Sequence, residues 1–203
     1  MKGTPKSTKL EKNFYKRKVL IVAKELLGKI FVHKNTGKIY AGKIVEVEAY
    51  DGSLDKAAHS YSGKTKRNEI MFREGGYLYV YLSYGVHYCC NVVTGEKDKG
   101  TAVLIRAVEP VEGIDRMIKN RFGRNLTGEK ENYNLTSGPG KVCKAMDINI
   151  KHSGIDLTGD EIYILDRPKI KNKMVGVSKR IGITRSANLP WRFFIKDNPY
   201  LSK

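Results

Sequence analysis

The residues most suited to chemistry stand in one short run, Ile44-Val45-Glu46-Val47-Glu48-Ala49-Tyr50. In a strand, successive side chains point to opposite faces. Val45, Val47 and Ala49 then share a face that suits a core, and Ile44, Glu46, Glu48 and Tyr50 share the other. Two carboxylates and a ring on one face of an apolar strand fit two readings. One is the solvated side of a half-exposed sheet. The other is a cleft in which a carboxylate does acid–base work beside a stacking ring. Charge bears on the choice. The 203 residues carry 38 Lys and Arg against 21 Asp and Glu, a net +17, a field that draws in polyanions. A carboxylate aimed at a bound polyanion is repelled, so one kept there needs a chemical reason.

Three further segments offer side chains to such a cleft. In Tyr77-Leu78-Tyr79-Val80-Tyr81-Leu82-Ser83-Tyr84-Gly85, Leu78, Val80 and Leu82 fall on one face and Tyr77, Tyr79 and Tyr81 on the other. Ordinary strand packing accounts for these rings, but not for Tyr84 at the turn. Rings in a basic protein can also stack on unpaired bases, at ~1–3 kcal/mol each, or wedge between base steps. Arg106, inside Val103-Leu104-Ile105-Arg106-Ala107-Val108, needs a partner if buried. Glu46 or Glu48 is the obvious one, in a structural ion pair or in a site. His59 follows Asp51 and Asp55 at four-residue intervals, a weak metal pattern. Ser137-Gly138-Pro139-Gly140-Lys141 reads either as a capped turn, with Ser137 capping a short helix, or as a phosphate cradle at a helix start. Lys64, Lys66 and Arg67, beside Asn68, form a basic loop that is solvated or meets phosphates.

The elements that must position these groups follow from pattern. Val19, Val22, Ala23, Leu26 and Leu27 recur at helical spacing before Gly28. Strands are expected over 30–32 and 39–50 around Asn35-Thr36-Gly37, over 77–83 and 86–93 around Tyr84-Gly85, and over 103–108. Ile114, Met117, Ile118 and Phe122 predict an amphipathic helix, and short strands are expected at 161–165 and 191–195. The fold class is α+β. Residues 1–12 read as a basic flexible arm, 13–203 as one domain, and 123–136 as a flexible loop. No run reaches the 18 or more apolar residues that span a bilayer. The start lacks the apolar core of a secretory signal, and three cysteines without CxxC spacing argue against a disulfide framework or a zinc ribbon. An intracellular protein is expected.

In order along the chain, VEVEAY (45–50), AAHS (57–60), Arg67-Asn68, Met71-Phe72, LYVYLSYG (78–85), Asn91, LIRAVEP (104–110), SGPGKVC (137–143), WRFF (191–194) and NPY (198–200) resemble the alkyladenine, or 3-methyladenine, DNA glycosylases. The likeness runs from about Leu26 to the C-terminus. It implies a compact α+β domain around a curved, largely antiparallel sheet, with a hairpin that probes the minor groove of duplex DNA. By this likeness Glu48 activates the water that attacks C1′ of a flipped nucleotide, and Arg106 helps hold water and acid. Tyr50 forms one wall of the base pocket, and His59 and Tyr81 the other. Asn91 disfavours the amine of guanine, and Tyr84 fills the gap left in the duplex. Lys64, Arg67 and Lys141 are the expected backbone contacts. The resemblance implies no metal and no organic cofactor. The partner is double-stranded DNA with damaged purines, met by a monomer that does not engage membranes. No Lys or N-terminal Pro is placed for a Schiff base, so a monofunctional enzyme is expected. The return strand Val86-His87-Tyr88-Cys89-Cys90 departs from the family pattern, which bears on substrate preference. The rival readings are a non-catalytic DNA- or RNA-binding module and an anionic-membrane binder acting through residues 1–18.

Overall fold

The computed structural model describes residues 8–126 and 128–202. Its centre is β2 (Lys38–Asp51), a strand buried over most of its length. Along one edge β2 pairs with β5 (Thr101–Glu112). Along the other edge its first half pairs with β1 (Ile30–Asn35) and its second half with β8 (Arg192–Ile195). The sheet runs on through β4 (His87–Thr94) to β3 (Leu78–Ser83) on one side, and through β1 to β6 (Ile162–Leu165) on the other. β7 (Val175–Ser178) pairs with β8. Every one of these pairings is antiparallel.

The helices α1 (Lys12–Tyr15), α2 (Val19–Leu26), α3 (Ile114–Phe122), α4 (Glu129–Asn134) and α5 (Pro139–Ala145) surround the sheet. The expected α+β class holds. Of these helices α2, α3 and α5 add Val22, Met117 and Val142 to one apolar core with Phe31, Leu78, Val103 and Ile105. Gly28 follows α2 at φ +81°, a conformation glycine adopts without strain. No helix among the described residues is long and apolar enough to cross a membrane.

Two expectations change. The register of β2 on β5 passes from Ile44 opposite Val108 to Glu46 opposite Ala107, and then to Val47 opposite Ile105. Val45 and Arg106 are the extra residues of paired bulges. The bulge flips the alternation, so Ile44 packs with Val47 and Ala49 in the main apolar core, and Val45, though fully buried, lies outside it. Ile44 therefore leaves the face it was expected to share with Glu46, Glu48 and Tyr50. Ser137 does not cap α5. The residue before that helix is Gly138, which makes no side-chain cap, and Pro139 takes the first helical position.

Of the segment read as an arm, residues 1–7 lie outside the described residues. Leu10 is buried, and its N–H bonds Ile164 O at 2.8 Å. Within 123–136, Glu129–Asn134 is helical.

Candidate active site

The bulges decide what lies on the far face of β2. Glu46 and Glu48 both have fully buried side chains, and Arg106 in its own bulge reaches both: Nε to Glu46 Oε1 at 3.0 Å and Nη1 to Glu48 Oε2 at 3.2 Å. The two acids differ in what else they hold. Glu46 also accepts from Arg192 Nε at 2.7 Å, Ser202 Oγ at 2.7 Å and Ser202 N at 2.6 Å. With Arg106 that fills about the four acceptor positions of a carboxylate. Glu48 accepts Tyr50 O–H at 2.9 Å and the Ile181 N–H at 2.8 Å beside its Arg106 contact, which leaves an acceptor position open.

Tyr50, Arg106 and Ile181, the three partners of Glu48, all line a cavity of about 460 Å³. That volume lies within the usual range of small-molecule pockets, about 300–1,000 Å³. Its other walls include His59, Tyr79, Tyr81, Asn91, Arg67 and Tyr84. The β3–β4 register sets Tyr79 opposite Asn91 and Tyr81 opposite Cys89. Tyr79 and Tyr81 stack at 5.6 Å between centroids, and His59 meets Tyr81 edge-on at 4.5 Å. His59 Nδ1 is 3.1 Å from Tyr79 O–H. Asn91 is buried and donates to Tyr79 O at 3.2 Å.

The rings in the walls are electrically neutral. Burial first, and then the Glu48 charge, raises the Tyr50 phenol well above the ordinary tyrosine range. Burial likewise raises Tyr81, with Cys89 adding to it. Burial and then Arg67 hold His59 below the usual imidazole value, so it is neutral at pH 7. The Cys89 thiol is pushed up to about 11, chiefly by burial.

At the rim, Tyr84 sits on the hairpin tip with φ +50° and 90% of its surface exposed. A tyrosine in the left-handed region is unusual, and little among the described residues covers this one. Arg67 is exposed there, with its guanidinium 5.9 Å from the Tyr81 ring. Lys64 is exposed on the same loop but does not line the cavity. Lys141 Nζ bonds Asn134 Oδ1 and Ser137 Oγ and lines a second cavity, which shares Arg106 and Pro139 with the first. The expected site residues Glu48, Arg106, Tyr50, His59, Tyr81, Asn91, Tyr84 and Arg67 thus come together, and Lys64 and Lys141 stand apart.

The Asp51–Asp55–His59 metal pattern does not converge. Asp51 accepts from Ser53, and Asp55 is claimed by buried Arg180 in a two-pronged pair at 2.5 and 2.8 Å.

A family comparison decides what this arrangement belongs to. The family model described as methylpurine-DNA glycosylase matches residues 13–199. The chain belongs to the methylpurine-DNA glycosylase family. Among its relatives, a protein of Clostridium novyi is 51% identical over 96% of this chain and 98% of its own length. Others from Alkaliphilus oremlandii and Carboxydothermus hydrogenoformans are each 48% identical over 96% of this chain and 99% and 98% of theirs. All three are provisionally named 3-methyladenine DNA glycosylases.

For a glycosylase of this family, sequence reasoning missed the support of the site. Arg180 donates to Ala49 O at 2.9 Å and lies 4.5 Å from the Tyr50 ring centroid. It thereby fixes that wall and the segment whose Ile181 N–H holds Glu48. Arg192 carries the signal that drew attention to Arg106, a cation within an apolar strand (WRFF). Ser202 and Ile181, which act partly or wholly through the backbone, carry no signal of their own.

Proposed function

We propose that this family member removes alkylated purines, and deaminated ones such as hypoxanthine, from duplex DNA. It rotates the damaged nucleotide into the aromatic cavity and hydrolyses its glycosidic bond with water activated by Glu48. The observation that carries this reading is the pairing of the two acids: Glu46 is saturated, while Glu48 keeps an acceptor position behind a ring-lined cavity.

A base inside a duplex is out of reach, so it must leave the stack at a cost of a few kcal/mol. Tyr84, exposed at the hairpin tip, takes the vacated space. The extruded base stacks among Tyr50, His59 and Tyr81. A purine methylated at N3 or N7 is cationic, and neutral electron-rich rings attract it. The water oxygen attacks C1′ as the C1′–N bond breaks. The bond's electron pair leaves with the base and cancels its positive charge, while Glu48 accepts the water proton. Charge that develops on the sugar is stabilised by the same acid, as in glycoside hydrolysis. Arg106 holds Glu48 in place, and Asn91 screens the edge of the base. The products are the free purine and an abasic site. No lysine takes part, so the strand is not cut. Arg67 at the rim meets the DNA backbone, and Lys64 and Lys141 add weaker contacts along it. The protein acts as a monomer.

The test is Glu48→Gln with methylated duplex under single-turnover conditions and chromatography of freed purines. Removing a general base should cost about 10²–10⁴-fold in rate, with binding to an abasic-site duplex kept. Release at the wild-type rate would remove Glu48 from the chemistry. Binding without release in the wild-type protein would favour a non-catalytic nucleic-acid-binding module.

A further inference from the structure

Outside the cavity lining, where β1 meets β6, three side chains converge with no part in the reaction: His33, His152 and Glu161. Their ligating atoms all lie within 4.8 Å of one another, and His152 Nε2 is 3.7 Å from Glu161 Oε1. His33, on β1, is fully buried. Its Nδ1 is 2.7 Å from Met146 O. A carbonyl only accepts, so Nδ1 carries the proton and Nε2 presents a lone pair. That Nε2 is buried and has no partner among the described residues. Buried polar atoms are rarely left so, because the omission is costly.

His152 can complete the arrangement. Its Nδ1 accepts the Asn149 N–H at 3.0 Å and lies 3.2 Å from Asn149 O, so in this arrangement the neutral ring carries its proton on Nε2, toward Glu161. A metal ion would replace that proton: the tautomer with Nδ1–H donating to Asn149 O frees the Nε2 lone pair, at the expense of the Asn149 N–H bond. Both rings would then hand their second nitrogen to a backbone carbonyl, as metal-bound histidines usually do. Glu161 is 55% exposed at the side chain and opens the cluster to solvent. Asp147, next to Met146, adds a second carboxylate nearby.

We propose that His33 Nε2, His152 Nε2 and Glu161 form a site for a divalent transition-metal ion, zinc being the best match, which ties the β1–β6 edge to residues 149–155. Two imidazoles and one carboxylate suit zinc, with water in the fourth position. Ligands at ordinary zinc distances stand roughly 3.3 Å apart in a tetrahedron, so the His152–Glu161 separation is nearly in place. The ion clips a segment that supports the hairpin strand: Gly154 N–H bonds Leu78 O, Leu78 N–H bonds Ile155 O, and Ser153 Oγ accepts from Val80 N–H. It takes no part in base release.

The full-length protein is titrated with Zn²⁺ against a chromophoric chelator, and with Co²⁺ followed by visible absorption. One equivalent should bind, Co²⁺ should show the intense d–d bands of a tetrahedral site, and Zn²⁺ should raise the melting temperature. Glu161→Gln, at an exposed position, should weaken binding by more than the about 10–100-fold that loss of an outer partner costs and erase the melting shift. Glu161→His should restore both. Absence of binding, as expected if a water satisfies His33, would overturn the site. So would equal binding by Glu161→Gln, or a thiolate charge-transfer band that puts the metal on cysteine.

Discussion

The buried acid centre and the hairpin tip lie on either side of one cavity and are built in opposite ways. At the centre, Glu46, Glu48, Arg106 and Arg192 are packed from every side, and each charge has an opposite charge within 3.2 Å. At the tip, Tyr84 and Val86 are 90% and 70% exposed, and Tyr84 takes a backbone conformation that tyrosine avoids. The centre is already arranged in the protein alone, so on the proposed reading its stability and its chemistry are coupled. Tyr84 and Val86 gain little from the described residues around them, so on the proposed reading their residue types serve what the tip meets outside. Mutations should therefore separate the two regions by readout: both stability and function at the centre, function alone at the tip.

The sharpest test is Glu46→Ala. It leaves Arg106 and Arg192 buried around a missing charge, and breaking a buried ion pair in this way costs about 3–5 kcal/mol. For a chain of 203 residues that corresponds to a fall in melting temperature on the order of 10 °C, measured by denaturant and thermal unfolding. Base release should fall too, because Arg106 is no longer held against Glu48. A loss under 1 kcal/mol would mean the centre is not closed, and the contrast with the tip would disappear.

Tyr84→Asn probes the other side. Asparagine tolerates a positive φ, so stability should stay within about 0.5 kcal/mol. Affinity for a damaged duplex should drop by about 1–3 kcal/mol, the scale of one lost base–aromatic contact. Unchanged single-turnover release from duplex would show that the tip does not enter DNA. A clear loss of stability would show that it is not free.

How much of this could be read in the residues follows the same division. Alternation in VEVEAY put Glu46, Glu48 and Tyr50 on one face, and this was legible because strand periodicity is local. The bulge at Val45 was not, because it arises from the register on β5, and so Ile44 was assigned to the wrong face. The turns at Thr36-Gly37 and Tyr84-Gly85 were legible from turn chemistry. β7 was not: four residues are too few for a pattern, and its Gly176 is explained only by Phe194, whose Cε2 would lie 2.3 Å from any Cβ there. α4 (EKENYN) buries nothing, so no periodicity could announce it. Arg106 announced that it needed a partner, yet among 38 basic residues nothing local could match Arg180 with Asp55 or Arg192 with Glu46. Those pairings belong to the tertiary fold.

His59 stands between the two regions, and the smallest effect is expected there. It is exposed to the cavity, edge-on to Tyr81, hydrogen-bonded to Tyr79 and faced by the cation of Arg67. Burial and Arg67 keep its pKa below the ordinary value of about 6.5. The sign follows from linkage. The folded state binds this proton more weakly than the unfolded chain, so the contribution to stability is constant above that value and declines as pH falls through it. On the functional side, an imidazolium in the wall repels a cationic purine but not a neutral one. Acidification should therefore lower excision of 7-methylguanine relative to hypoxanthine by a few-fold. Loss of the Glu48 base affects both substrates alike, and any proton the hypoxanthine needs is common to wild type and variant. Comparing that ratio between wild type and His59→Phe isolates the wall. It should slope more steeply with pH in the first than in the second. Parallel slopes would mean that His59 never becomes charged against the base, and that the wall belongs with the rigid centre rather than midway to the tip.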